Sequence, residues 1–179
     1  EACLQALEHP ATAMGNVGAG TGATVGKLCG MERASKTGIG CYAMALGELQ
    51  VAAVVVVNAL GDIFDPANGT KIAGLMNEDR TAFGDSCDEL WKLGCPQNLF
   101  TGNTTIGAVI TNGQFNKAQM NKIASMTRNA YARCINPVGT MADGDSIYAA
   151  SIGDVKADIN VTGTLAAHVM ERAIVKAVE

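Results

Sequence analysis

Two carboxylates flanking a glycine, Asp143-Gly144-Asp145, offer acid/base chemistry. At that spacing they form either a solvated turn or, if buried together, a pair whose repulsion raises one pKa and lets it orient or relay a proton. Asn58 closes the apolar run Val51 to Val57. An amide at the end of a buried strand either caps the following turn or aims its N–H into a cavity, where it can steady a developing oxyanion. Gly102-Asn103-Thr104-Thr105-Ile106 places a bend-tolerant Gly-Asn pair ahead of a β-rich run, and by pattern alone is a loop entering a strand. Lys27 ends the glycine-rich stretch that begins at Gly18, and is either a solvated lysine or a cation held in an apolar setting.

Other chemistries are poorly supplied. Gly26-Lys27 is followed by Leu28 rather than Ser or Thr, and position 21 is Thr, so the P-loop pattern fails. Gly18-x-Gly20-x-x-Ala23 fits a loose dinucleotide fingerprint, but no strand pattern precedes it, and the glycines read better as a place where two backbones approach closely. There are 2 histidines, His9 and His168, too few for a histidine-rich metal site; a Ser-His-Asp triad would have to recruit one of them. The 6 cysteines, at 3, 29, 41, 87, 95 and 134, form no C-x-x-C pair and fit buried thiols in a reducing cytoplasm. No cofactor or metal is expected, and a nucleophile here would need an activator other than imidazole.

The elements that must position these groups follow from period and punctuation. With 179 residues, 48% apolar and 17% charged, the chain can build one domain with a core. The net charge of -4 and the lack of a dense basic patch argue against a nucleic-acid partner. The longest apolar run is too short to span a bilayer, and no signal-peptide pattern is visible. Residues 1–8 read as a helix with Cys3, Leu4 and Leu7 on one face, ended by Pro10. Gly38 to Leu49 and Gln50 to Leu60 read as two strands around a turn at Gly47-Glu48, the second apolar on both faces as in a strand buried between layers. Residues 61–100 are expected to be a mixed, partly mobile connection. Thr104 to Thr111 is a strand, Asn116 with Gln119 a capping box opening a helix to about Arg133, and Asp145 to Ile152 a short strand. The last helix, about Val161 to Val178, buries one stripe with apolar pairs every four residues. Helices outside stacked sheets are the expected arrangement.

Taken together, 15–28 (GNVGAGTGATVGKL), 54–62 (VVVVNALGD), 103–112 (NTTIGAVITN) with 116–119 (NKAQ), and 143–149 (DGDSIYA) resemble, in this order, the P1-family (DmpA-like, serine peptidase S58) aminopeptidases and amidases. That family includes β-aminopeptidases and the nylon-oligomer hydrolase. The resemblance implies a mixed α/β fold, an αββα sandwich of the DmpA/ornithine acetyltransferase type, made as a precursor that cuts itself ahead of a Ser or Thr. Here the cut would fall between Asn103 and Thr104.

The freed Thr104 would be the nucleophile, with its own amine as general base. By the same resemblance Asn58 would serve the oxyanion, Asp143 and Asp145 would orient Thr104, and Lys27 would lie near it. Family members carry a substantial segment ahead of the region equivalent to Gly15, of which this sequence has almost none. A single partial domain over 1–179 is therefore expected, with 1–103 belonging to a large subunit and 104–179 forming the small one. The implied activity is amide or ester hydrolysis of a small peptide or amide in the cytoplasm. A non-catalytic binding or assembly module and an ornithine acetyltransferase-like acyl transferase are the alternatives. An unpaired sheet edge and the family's habit point to a homo-oligomer.

Overall fold

The computed structural model describes residues 2–8, 13–94 and 102–178. In chain order the elements are α1 (Ala2–Glu8), β1 (Thr24–Val25), β2 (Ser35–Lys36), β3 (Ile39–Leu46), β4 (Leu49–Val56), β5 (Asp62–Phe64), β6 (Lys71–Ala73) and α2 (Ser86–Leu93). Then follow β7 (Ile106–Gly113), α3 (Lys117–Thr127), α4 (Asn129–Cys134), β8 (Ile135–Asn136), β9 (Ser146–Val155) and α5 (Ile159–Lys176). The expected stop of α1 at Pro10 and the imidazole of His9 lie outside the described residues, as does Cys95; Cys3 falls within α1, but its side chain is not described.

The main sheet runs β3-β4-β7-β9. The β3–β4 hairpin turns at Gly47-Glu48, with Leu46 opposite Leu49 and Gly47 at φ +61, the sign that primed two-residue turns require. β4 is antiparallel to β7, and β7 is parallel to β9 across α3 and α4. The Asn116–Gln119 capping box is present and opens α3. The single helix expected as far as Arg133 breaks near Arg128, where the Thr127 hydroxyl donates back to the Ile123 carbonyl at 2.8 Å and competes with the helical ladder. β9 runs on to Val155, past the expected Ile152.

Helices cover one face of this sheet. α5 lies against β3, β4, α3 and α4, and its buried stripe (Ala166, Val169, Met170, Ala173, Ile174, Ala177) meets Val51, Val55 and Val109. Gly40 admits the α5 backbone: a Cβ there would lie 2.6 Å from the Ala177 nitrogen. The sequence pattern of β4 suggested burial on both faces, but only one face is. Val51, Ala53 and Val55 point into the core, whereas Val54 joins Ile106, Ile110, Tyr148 (66% exposed) and Ile152 (74% exposed) on the outer face. Among the described residues nothing covers that face. The structure thus supplies one helical layer and one sheet of the expected sandwich.

The region expected to be a mobile connection is ordered through residue 94, around a single carboxylate. Asp62 is 1% exposed and accepts from the Leu75 N–H (2.8 Å), the Ser86 hydroxyl (2.6 Å), the Ser86 N–H (2.9 Å) and the Lys71 ammonium (2.8 Å). These bonds tie β5, β6 and the start of α2 together and support the loop after β4. No helix among the described residues is long and apolar enough to cross a membrane.

Removing this carboxylate leaves the Leu75 and Ser86 N–H groups and the Ser86 hydroxyl without their buried acceptor, while Lys71 keeps the Gly84 carbonyl at 2.7 Å and Asp85 at 3.5 Å. Asp62→Ala is therefore expected to destabilise the fold by about 2–4 kcal/mol, read from the midpoint of urea unfolding; a loss below about 1 kcal/mol would rule out Asp62 as the organising centre of this region.

Candidate active site

The residues of interest gather at one end of the main sheet. Ahead of β7, Asn103 forms a parallel bridge with Asp143 that continues the β7–β9 register. The peptide between Asn103 and Thr104 is bound on both sides. Its N–H donates to the Asn58 carbonyl at 2.7 Å, and its carbonyl oxygen accepts from the Gly144 N–H at 2.8 Å. The Thr104 hydroxyl donates to that same carbonyl oxygen at 2.6 Å. Asn103 and Thr105 are buried, while Thr104 between them is half-buried, at the edge of the covered region.

The two aspartates frame this peptide instead of capping a solvated turn. The Asp143 carboxylate accepts from the Thr140 hydroxyl (2.7 Å), the Thr140 N–H (3.0 Å) and the Leu60 N–H (3.4 Å). It thereby links the loop after β4 to the approach to β9. Asp145 accepts from the Thr105 N–H at 2.8 Å. Burial holds its carboxyl above the usual carboxylate range, opposed by the Thr105 hydrogen bond and reinforced by Asp143. A cleft of about 180 Å3 on the helix side reaches Asp145 and is lined also by Ser125, Arg128 and Tyr131.

Lys27 is a buried cation, 7% exposed, and not the solvated lysine that composition allowed. It arrives there because residues 26–27 run alongside 60–61, with Gly26 N–H donating to the Gly61 carbonyl (3.0 Å) and Lys27 N–H to the Leu60 carbonyl (3.2 Å). Gly26 sits at φ +67 against the backbone of Gly74 and Leu75, where no side chain would fit. The close-approach reading of the glycine-rich stretch therefore holds at this position.

The Lys27 ammonium donates to Asn58 Oδ1 at 2.7 Å, and the Thr24 N–H donates to the same oxygen at 3.2 Å. Because lysine only donates, this fixes the orientation of the amide and points Asn58 Nδ2 the other way, onto the Gly102 carbonyl at 2.9 Å. Asn58 is thus not a turn cap. Burial lowers the Lys27 pKa to about 8, with Asp143 pulling it back up.

All six residues singled out from the sequence, Lys27, Asn58, Asn103, Thr104, Asp143 and Asp145, therefore fall into one connected network. Sequence reasoning missed the roles of Gly144, Thr140 and Thr24, whose contributions are backbone N–H groups or a short hydroxyl and leave no side-chain signature. Elsewhere, His168 is exposed on α5 beside Glu171, at 3.8 Å. The Cys134 thiol is pushed up to about 12 by burial, which disfavours a thiolate. Among the described residues no group of three or more His, Cys, Asp or Glu side chains is placed to hold a metal ion.

This fold is shared with solved structures. It matches the L-aminopeptidase D-Ala-esterase/amidase of Ochrobactrum anthropi, described as a variant of the Ntn hydrolase fold, with TM-score 0.61 and 17% identity over 92% of this chain and 44% of that one. The model of Peptidase family S58 matches residues 1–179, and the chain belongs to that family. Among curated relatives, the 6-aminohexanoate-oligomer endohydrolase of Agromyces sp. (strain KY5R) is 30% identical over 91% of this chain and 50% of its own length. An uncharacterized aminopeptidase of Mycobacterium leprae (strain TN) is 35% identical over 81% of this chain and 39% of its own. The chain spans 50% and 39% of the length of these two relatives.

The shift at Lys27 sets a pH signature. Its folded pKa, about 8, lies below the ordinary lysine value of 10.5, so between these limits the folded protein binds fewer protons than the unfolded chain. Stability contributed by this site accordingly rises with pH across that window and is lowest below it. Unfolding free energies measured from pH 7 to 10.5 are expected to increase in the native chain relative to Lys27→Met; parallel profiles would show that Lys27 is not buried as a cation.

Proposed function

We propose that this chain is the nucleophile-bearing part of a self-processing N-terminal-nucleophile amide hydrolase. The precursor is cut between Asn103 and Thr104, so that 1–103 belongs to the large subunit and 104–179 forms the small one. The observation that carries this reading is the convergence of the Lys27–Asn58 pair and the Asp143–Asp145 pair on the peptide that bears the Thr104 hydroxyl. A histidine-poor site needs another base, and a freed Thr104 amine supplies one. With a reference pKa of about 7.7–8.0, an α-amino group is partly neutral near pH 7 and can take the hydroxyl proton.

In turnover Thr104 Oγ attacks the carbonyl of an amide or ester, the acyl group passes to Thr104, and water releases it. Asn58 serves the oxyanion, its amide aimed by the buried Lys27 ammonium. That ammonium supplies positive charge in a water-poor setting, where it acts more strongly than at the surface. Asp145, anchored on the Thr105 N–H, fixes the strand that presents Thr104, and Asp143 fixes the loop that presents Asn58. Small peptides or oligomeric amides are the substrate class, by similarity to the aminopeptidases and the 6-aminohexanoate-oligomer endohydrolase. The apolar outer face of the main sheet, uncovered among the described residues, favours association with further protein, including a second copy of the chain.

Thr104→Ala is expected to leave the 103–104 bond intact and to lower amide turnover by roughly 10⁴-fold or more, whereas Thr104→Ser keeps both. Gel mobility of the purified chains and release of p-nitroaniline from an aminoacyl p-nitroanilide read the two outcomes. An alanine chain that cuts itself, or hydrolyses the anilide at the native rate, would refute the assignment.

A further inference from the structure

We propose that the backbone N–H of Gly144 is the oxyanion donor of the self-cleavage step, and that residue 144 is glycine because a side chain there would displace the Thr104 hydroxyl from the carbonyl it attacks. The inference rests on the 103–104 peptide being the scissile bond, and adds a group that only the uncut chain needs in this role. In the uncut chain the oxygen that must become negative is the Asn103 carbonyl oxygen, and the Gly144 N–H already lies 2.8 Å from it. The Asn58 side chain, which serves the oxyanion in turnover, donates instead to the Gly102 carbonyl, one residue upstream.

The Gly144 donor is held in advance of any reaction. On one side the Asp143 carboxylate is fixed by Thr140 and Leu60; on the other, Asp145 is fixed by the Thr105 N–H. The Asn103–Asp143 bridge and the Ser146 N–H bond to the Thr105 carbonyl (3.0 Å) set the register around it. A donor fixed this way stabilises developing charge without reorganising. The steric half of the inference comes from the same place. A Cβ on residue 144 would stand 2.7 Å from Thr104 Oγ1, inside any normal contact, and 3.7 Å from the Asn103 oxygen.

The step balances as an isomerisation followed by a hydrolysis. Thr104 Oγ bonds to the Asn103 carbonyl carbon, the carbon–nitrogen bond breaks, and the hydroxyl proton ends on the Thr104 nitrogen. The negative charge sits on the Asn103 oxygen only between these events, facing Gly144. Water then splits the ester, leaving a carboxylate on Asn103 and a free hydroxyl and amine on Thr104.

The test removes only the donor. Replacing Gly144 by glycolic acid turns its N–H into an ester oxygen, and self-cleavage of the full chain, followed by intact mass, is expected to slow by about 10²–10³-fold. Gly144→Ala keeps the N–H but crowds the hydroxyl, and it too is expected to slow cleavage, answering independently should the ester weaken the fold. Cleavage at the unmodified rate in either chain overturns the inference. Thr104→Ala run in parallel separates the two levels: if that chain is still cut at 103–104, the junction itself is misassigned, whereas an uncut alanine chain beside a fast glycolic-acid chain removes only the role of Gly144.

Discussion

A single peptide unit, Asn103–Thr104, is gripped at both poles, its N–H by the Asn58 carbonyl and its carbonyl by the Gly144 N–H. The sheet order makes this grip possible. β4 runs antiparallel to β7, and β7 runs parallel to β9, so the end of β4 and the starts of β7 and β9 meet at one rim. Asn58, Thr104 and the Asp143–Asp145 pair are the residues that follow or precede those strands. No long-range coincidence is needed to assemble them; the order β4-β7-β9 does so.

The electrostatics of the rim follow from how it is walled. Lys27 comes in on a segment zippered to residues 60–61, close to Asn58, and burial is what brings its ammonium down toward neutrality. The same ammonium fixes which end of the Asn58 amide faces which way. Behind it, Asp62 gathers Lys71, Ser86 and Leu75 and keeps the loop leaving β4 in place. Asp143 ties that loop to the third arm of the site through Leu60. Two aspartates thus do distinct physical work from adjacent structures, one buried in structural bonds and one bridging the arms of the site.

Much of this was legible in the residues and some of it was not. The hairpin at Gly47, the Asn116–Gln119 box and the four-residue stripe of α5 announce themselves because each is a local pattern with a local cause. Residues 61–94 showed turn signals at Asp65-Pro66 and Asn68-Gly69 but nothing that announced their order, which depends on one carboxylate collecting partners 9 to 24 positions away. The outer face of β4 misled for a related reason: apolar side chains on both sides say that a strand can be covered twice, not that the covering layer lies within these residues. At the site, residue types left Asn58, Lys27 and the aspartates open between bland and chemical roles. What first grouped them was the resemblance to a family, and the structure brings them together around one peptide. Gly144 was invisible to either approach, because its contribution is a backbone N–H and the absence of a Cβ.

On the reading proposed above, this doubly held peptide is where the chain divides. Intact mass combined with N-terminal sequencing of the purified protein tests it most directly. Two polypeptides are expected, the smaller beginning at Thr104 and the larger ending at Asn103. A stable chain continuous through residues 103 and 104, or a new N-terminus at any other position, would contradict it.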